Sequence, residues 1–430
     1  MSAADSDHTG ATVTAVVIRP GDEAVLVLPT GLPRVELPEE VWFPDVDRVV
    51  RAFREQLGIE AVVLECLAAE GPAYLMVAEG NIPAGARWVS GLDHPLVTAA
   101  GKLLARPAGS PLLPPWTRPE WYDDALAWID EQVEHTGPLQ QVRSWGLSNV
   151  FRVPEGVYFK AITHSSTVVP DHADARPLLF AHEPAFLQRL SAERPGLVVE
   201  PLAVDEKRAW MLLPDLGEPL AVQDDLDQWS TAIRTHAQLQ RSYVDSPDAL
   251  LAMSCTDRRL NQLEAAIDDV LGANELTADL TPAERDQLAT RGPALREAIA
   301  ELAAIGVPET LLHGDLHPRN IAVQDGRALA FDWTDACLSH PFLDLVTFVE
   351  GRSPHSRDPQ VLDAYLTAWL DYAPMPALRR ALELANEIGA LHQAVTYLHL
   401  VDNLSGPSRA SMRSGGVWWL RKIATGERPG

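Results

Sequence analysis

Cysteine is scarce. Cys66, Cys255 and Cys337 are the three in 430 residues, odd in number, far apart, and outside any CxxC or His/Cys ligand spacing. That excludes a disulfide-stapled scaffold and a zinc ribbon, and leaves buried thiols in a reducing compartment as the expectation. Positive charge is short as well: 35 Lys and Arg stand against 60 Asp and Glu, for a net charge of −25. Such a balance repels the phosphate backbone of nucleic acids and anionic lipid surfaces, so neither nucleic acid nor membrane is expected as a partner. It favours a cationic ligand by long-range attraction, although many acidic soluble proteins have none. No run of 18 apolar residues occurs, and Met1–Gly10 has neither the basic start nor the apolar stretch of a signal peptide, so the chain reads as soluble and cytoplasmic. Internal repeats and low-complexity tracts are also missing. Hydrophobic residues at 46% and charged residues at 22% are ordinary globular usage. At roughly 150 residues per domain, the length suggests two or three domains.

Residues 12–28 read as strand, Pro20-Gly21-Asp22-Glu23 turn, strand. Val46, Val49, Val50, Phe53 and Leu57 then fall at helical spacing before Gly58, a C-terminal stop. Extended runs at 61–67 and 73–78 precede a stretch rich in Gly and Pro ending at Leu112-Leu113-Pro114-Pro115. Residues 1–115 are therefore expected to form a small α/β accessory domain. A helix over 120–135 leads into β-like runs at 139–145, 150–153 and 157–162, an antiparallel meander. From about 222 the pattern is mostly helical, apart from an extended block at 307–333, with long helical periodicity over 376–403.

Chemistry concentrates in that block. It contains His313-Gly314-Asp315-Leu316-His317-Pro318-Arg319-Asn320 and, after Asp325-Gly326-Arg327, Phe331-Asp332-Trp333. Asp-Gly between apolar runs signals a hairpin. With a three-residue loop Asn320 lies opposite Asp332; with a two-residue loop it lies opposite Phe331, one step away. Either register gathers an amide oxygen and a carboxylate at the open end, with Asp315 five residues upstream of Asn320 on a loop stiffened by Pro318. Two oxygen ligands beside a separate carboxylate suit phosphoryl transfer, where Mg²⁺ bridges nucleotide phosphates and the second carboxylate accepts a hydroxyl proton. Asp-x4-Asn, then Asp twelve residues on, is the spacing of a kinase catalytic loop and metal-binding Asp. Any one of these residues is more often turn chemistry; the ordered set carries the weight. A His–Asp hydrolase or His/Asp metal site finds no nucleophile or third ligand.

On these residues the chain, over about 120–425, resembles the aminoglycoside phosphotransferase family, small-molecule kinases on a protein-kinase-like fold. The resemblance implies an α+β architecture: a two-lobed kinase-like fold, with lobes at 116–221 and 222–430, preceded by the accessory domain. It implies that Asp315 is the catalytic base, that Asn320 and Asp332 hold Mg²⁺, and that Asp344 orients the catalytic loop. His313 and His317 match family positions and are read as structural hydrogen-bonders. Gly146, Ser148 and Asn149 match the phosphate-covering turn, although a plain hairpin turn explains them nearly as well, and Lys160 the lysine on the α- and β-phosphates. Glu183 is the expected partner of Lys160, with Pro184 biasing it toward a helix start and Glu193 as fallback. Ala209–Leu216 resembles the adenine-binding hinge, and His236 reads as a packed core histidine. The irregular stretch 163–177, with His164 and His172, reads as a solvated loop.

The expected activity is Mg²⁺-dependent transfer of the γ-phosphate of ATP or GTP to a hydroxyl of a small molecule. By resemblance the acceptor is an aminoglycoside, amino sugar or amino alcohol, with neutral sugars and hydroxy amino acids as alternatives. A pseudokinase or nucleotide-sensing module is the alternative of another class. Glu387, His392 and Asp402 are polar positions in 376–403 available to an amine, although solvated helix faces explain them more simply. The accessory region resembles a Nudix fold whose metal box has decayed. Arg51, Glu55, Gly58 and Ile59 match, whereas Ala52 and Gln56 replace acidic residues, and Leu37 and Phe43 replace the upstream Gly and Glu. An amphipathic helix in any small α/β domain accounts for the matches about as well. Three missing carboxylates predict no pyrophosphohydrolase activity.

Overall fold

The computed structural model describes residues 10–426 except 22–23, 81, 165–171, 273, 325–326, 352 and 354. Of the sequence expectations, the extreme N-terminus, Asp22-Glu23, the Asp325-Gly326 loop tip and most of the irregular stretch lie outside the described residues. The chain forms two compact units, Met1–Ala173 with Asn403–Ala410, and Asp174–Asp402 with Ser411–Gly430.

The first unit runs β1 (Ala11–Ile18), β2 (Val25–Val27), β3 (Arg34–Leu37), α1 (Asp47–Leu57), β4 (Ala61–Ala68), β5 (Ala73–Ala78), β6 (Arg87–Val89), α2 (Pro95–Leu104), α3 (Pro119–Gln132), β7 (Gln140–Ser144), β8 (Ser148–Val153) and β9 (Val157–Ile162). A mixed six-stranded sheet has the order β4-β5-β1-β2-β6, with β3 also paired to β1. The inner strand β5, Ala-Tyr-Leu-Met-Val-Ala, is apolar throughout and buried along Ala73–Val77, as a strand covered on both faces must be, whereas β3, Arg-Val-Glu-Leu, alternates exposed and buried. On one of the sheet's flanks α1 buries Val49, Ala52 and Phe53 and stops at Gly58. The Gly- and Pro-rich stretch holds β6 and α2, elements its composition hides.

Strands β7–β9 form the expected antiparallel meander. Several side chains tie them to the accessory sheet and to the chain before α1: Gln141 and Ser144 reach Val63, and Arg143 reaches Asp45. Gln141 accepts the Val63 N–H at 2.7 Å and donates to the Val63 carbonyl at 2.9 Å, at a register shift in β4. Two backbone bonds add to this, Val46 N–H to Val142 O and Ser144 N–H to Pro44 O, both 3.0 Å. Tyr122 and Trp128 of α3 pack on Phe151 and Phe159 at 5.3 and 5.9 Å.

The second unit runs α4 (Glu183–Glu193), β10 (Ala203–Asp205), β11 (Trp210–Pro214), α5 (Leu226–Arg241), α6 (Asp248–Ala252), β12 (Thr256–Asp257), α7 (Leu260–Ala265), α8 (Ile267–Leu271), α9 (Pro282–Ala289), α10 (Gly292–Ile305), β13 (Thr310–Leu312), β14 (Ile321–Gln324), β15 (Arg327–Ala330), β16 (Cys337–Ser339), α11 (Asp344–Glu350), α12 (Pro359–Thr367), α13 (Met375–Asp402) and, from Ser411 on, α14 (Gly406–Thr425), whose first residues are counted with the first unit. Its core is built around Leu311, Leu312, Leu316, Trp333, Phe342, Leu345 and Phe348, all fully buried. β13 and β12 flank β16, so the loop leaving Leu312 emerges from a packed strand. Among the described residues no helix is long and apolar enough to cross a membrane.

Gln141 makes the first unit testable. Gln141→Ala leaves the Val63 N–H without its partner inside the protein and weakens the bonding of its carbonyl, a loss of about 2–3 kcal/mol. Urea unfolding should show the midpoint falling accordingly; an unchanged midpoint would show that this link adds nothing.

Candidate active site

One carboxylate gathers the start of the loop after β13. Asp344, at the head of α11 and 1% exposed, accepts the His313 N–H on Oδ2 at 2.9 Å and the Gly314 N–H on Oδ1 at 2.8 Å. His236 Nε2 lies 2.8 Å from Oδ2, and Gln240 Nε2 donates to Oδ2 at 3.0 Å. His236 thus holds Asp344 rather than merely filling core. Gly314 has φ of +84°, and a Cβ there would collide with the Asp335 carbonyl, so only glycine fits this turn.

The His313 ring is locked. Its Nε2 faces the Phe331 carbonyl at 2.9 Å, which can only accept, so Nε2 carries the proton and Nδ1 receives the Asp315 N–H at 3.4 Å. Burial drives its pKa down to about 4. A neutral imidazole bonded at both nitrogens is structural.

Asp315 has its carbonyl engaged by the His317 N–H at 2.9 Å and by Asn320 Nδ2 at 3.1 Å. Its carboxylate opens to solvent, with the side chain 41% exposed, and lies 3.6 Å from His317 Nε2. Enclosure by the surrounding protein, then the charges of Asp332 and Asp344, push its pKa up to about 7.

The hairpin returns the chain to this point. Gln324 pairs with Arg327 and Ile321 with Ala330, and the Phe331 N–H donates to the Asn320 carbonyl at 2.9 Å. Asn320 therefore lies opposite Phe331, with Asp332 one step beyond; the register opposite Asp332 is not the one formed. Asp332 takes a left-handed conformation, φ 68° and ψ 63°, unusual for a non-glycine residue. The next N–H, of Trp333, donates to Glu183 Oε1 at 2.8 Å. Glu183 is fully buried and opens α4 with Pro184 second, so proline occupies a position where its missing N–H is harmless.

The second unit thus brings together Asp315, Asn320, Asp332, His313, His317, Asp344 and Glu183. Gly146, Ser148, Asn149 and Lys160 belong to the first. Lys160 is buried in β9 opposite Val150. The turn at 146–149 is packed rather than open. Gly146 donates its N–H to Ser408 Oγ at 3.0 Å, and a Cβ on it would meet Leu404 Cδ2 at 2.6 Å. Ser148 Oγ accepts from Trp145 Nε1, and Asn149 Nδ2 donates to Ser144 Oγ. These bonds occupy the Gly146 N–H and the Ser148 and Asn149 side chains.

Several residues escaped the sequence reading. Asp335 sits against Gly314, and burial, then Asp315, push its pKa to about 7, with buried Arg258 opposing. Gln393 Nε2 of α13 donates to the Gly314 carbonyl at 3.0 Å. Asp335 stood two residues beyond the motif block, where nothing local separated it from a turn residue, and Gln393 had no local signal. Conversely, Glu387 pairs with Arg291 at 3.6 Å, Asp402 with Arg176 at 3.0 Å, and His392 is buried beside Cys337. These three are not gathered to receive an amine.

Asn320 and Asp332 offer hard oxygen donors, and Asn320 commits its nitrogen to Asp315, leaving the amide oxygen for a cation. Among the described residues no cluster of three or more His, Cys, Asp or Glu could hold a metal. A cation with two protein ligands, the rest from phosphate and water, fits Mg²⁺.

The GDP complex of an aminoglycoside 2′-phosphotransferase-IIIa mutant matches with a TM-score of 0.50 at 14% identity, over 72% of this chain and 98% of that one. A choline/ethanolamine kinase family protein from Mesorhizobium loti matches with a TM-score of 0.49 at 18% identity, over 71% and 94%. A macrolide 2′-phosphotransferase from Brachybacterium faecium matches with a TM-score of 0.45 at 20% identity, over 69% and 98%. The fold is kinase-like. No curated protein matches the chain. Residues 144–384 match the phosphotransferase enzyme family, and the chain belongs to that family as a small-molecule phosphotransferase using a nucleotide.

The Asp315 carboxyl gives a prediction for the metal-free protein. A carboxyl raised from 3.8 to about 7 on folding holds its proton more tightly in the folded state, so stability falls as pH climbs through that window. Asp315→Asn removes the penalty. Its Tm should exceed that of the wild type at pH 8 and match it at pH 4; a gap independent of pH would contradict the crowding of charge.

Proposed function

We propose that this phosphotransferase moves the γ-phosphoryl group of Mg²⁺-bound ATP or GTP to a hydroxyl of an amine-bearing small molecule, such as an aminoglycoside, amino sugar or amino alcohol. The observation that carries the reading is the convergence of Asp315, Asn320 and Asp332. Asn320 is bonded through its side chain to Asp315 and through its main chain to Phe331, the residue before Asp332.

Asp315 accepts the proton of the acceptor hydroxyl as its oxygen bonds to the γ-phosphorus and the bond to the β–γ bridging oxygen breaks, releasing the nucleoside diphosphate. Enclosure and the neighbouring carboxylates of Asp332 and Asp344 raise the proton affinity of Asp315 above that of an ordinary aspartate, which suits it to accept a proton. Asn320 and Asp332 would hold Mg²⁺, which when bound neutralises phosphate charge. Lys160 takes the α- and β-phosphates. Asp344 holds the loop carrying Asp315 by two N–H groups, while Glu183 holds the main chain just after Asp332. Two observations support a cationic acceptor: Asp335, a carboxylate beside Asp315 needed neither as base nor as metal ligand, and the chain's net charge of −25.

ADP or GDP release should be followed over aminoglycosides, amino sugars, choline-type alcohols, neutral sugars and hydroxy amino acids. One class is expected to turn over at roughly 1–100 s⁻¹, with Asp315→Asn binding Mg·ATP normally and slower by a factor of about 10²–10⁴. Selective turnover of neutral sugars would replace the amine, and unchanged turnover in Asp315→Asn would remove the base.

A further inference from the structure

We propose that Gln240 and Tyr365 are positioning residues for the catalytic loop, setting the rotation of the Asp344 carboxylate and through it the peptides that carry Asp315. The inference goes beyond the proposed chemistry and rests on it only for its effect on turnover. Both side chains are fully buried, so neither touches a substrate.

Asp344 divides its work unevenly. Among the described residues Oδ1 accepts from Gly314 alone, whereas Oδ2 accepts from His313, His236 and Gln240. Turning the carboxylate would stretch both loop bonds, and the groups on Oδ2 from α5 oppose that turn. His236 and Gln240 are one helical turn apart on α5, so both reach the same oxygen.

A glutamine can face a carboxylate either way round. With its oxygen toward Asp344 it would repel; with its nitrogen there it donates. Tyr365 decides. Its hydroxyl donates to Gln240 Oε1 at 2.6 Å, which fixes the oxygen toward α12 and directs Nε2 to Asp344 at 3.0 Å and the Pro341 carbonyl at 3.3 Å. The Tyr365 oxygen also lies 3.0 Å from the Pro341 carbonyl, the alternative acceptor for its single proton. The Gln240 main chain is fixed too: its carbonyl accepts from Thr310 Oγ1 at 2.6 Å, three residues before His313. The chain of bonds runs Tyr365, Gln240, Asp344, then the His313 and Gly314 N–H groups. In so dry a place each bond directs the next.

The titratable groups bonded to the Gln240 side chain are Asp344 from α11 and Tyr365 from α12, and His236 from α5 and the neutral His313 from the loop meet it through Asp344. Gln240→Glu keeps the shape and substitutes an ionisable group. Protonated, the new carboxyl donates to Asp344 as the amide did; ionised, it repels Asp344 and frees the loop. A side chain that merely filled space would not give this pH signature.

The test measures hydrogen exchange of the peptide spanning His313–Asp315, corrected for intrinsic rates, together with ADP release from Mg·ATP with water as acceptor. Tyr365→Phe should speed exchange there at least tenfold and lower ADP release by about tenfold, with Mg·ADP affinity within twofold of wild type. Gln240→Glu should match wild type at pH 6 and lose both protection and turnover as pH rises. Wild-type exchange at His313–Asp315 in both variants at every pH overturns the inference, as does faster exchange spread evenly over the protein. Asp315→Asn run alongside separates the two ideas. If it leaves ADP release unchanged while Tyr365→Phe still unprotects the loop, the base assignment fails and the positioning role stands.

Discussion

Asp344 carries a carboxylate into a place water does not reach, and the need to satisfy it organises what lies around it. A buried charge without donors would cost several kcal/mol, and breaking its bonds one at a time is correspondingly expensive. Four donors converge instead, from α5 and from the loop after β13. Two of these are main-chain N–H groups, and that choice has a consequence. Holding His313 and Gly314 by their backbone fixes the path of the chain whatever side chains follow, and Asp315 is the next residue. The left-handed turn at Gly314 and the neutral His313 ring then aim the loop toward Phe331 and Asp335.

The motif was legible because its chemistry is local. Asp-Gly between apolar runs fixes a hairpin, and a hairpin fixes which residues meet at its open end, so Asn320 and Asp332 came together on spacing alone. Spacing left two registers, and pairing of Gln324 with Arg327 selects one. The helix pattern of 376–403 was readable for the same reason. What stayed hidden depends on distant partners. Gln393, Gln240 and Tyr365 look like ordinary polar and aromatic positions on helices, and their roles exist only because Gly314, Asp344 and Pro341 arrive from elsewhere. Helix α14 was hidden by its own composition, since Gly415 and Gly416 are poor helix formers. There the lack of side chains is what packing needs: a Cβ at either position would collide with Tyr397 or Leu276.

Charge crowding at the site trades stability for reactivity. Burial and then neighbouring carboxylates raise the proton affinity of two groups here, Asp315 through Asp332 and Asp344, and Asp335 through Asp315 and Asp332 with buried Arg258 opposing. A core optimised for stability would not keep these carboxylates together. A cation held by Asp332 relieves part of the repulsion, so the arrangement suits a protein most stable when its ligands are bound.

Asp332 shows how such strain is contained. A left-handed aspartate costs on the order of 1 kcal/mol or more, and the conformation persists only where the neighbours over-determine it. Here they do so on both sides. Before it, Phe331 is held in the hairpin by Asn320 and by the His313 ring. After it, the Trp333 N–H is taken by Glu183, and the Trp333 indole is fully buried against His313 and Phe186. Proline after Glu183, which looks like an obstacle in the sequence, belongs to this arrangement. By opening α4 at Glu183 it sets the carboxylate at the head of the helix, where the His182 ring caps the Ala185 N–H and Glu183 accepts from the Trp333 N–H just beyond Asp332.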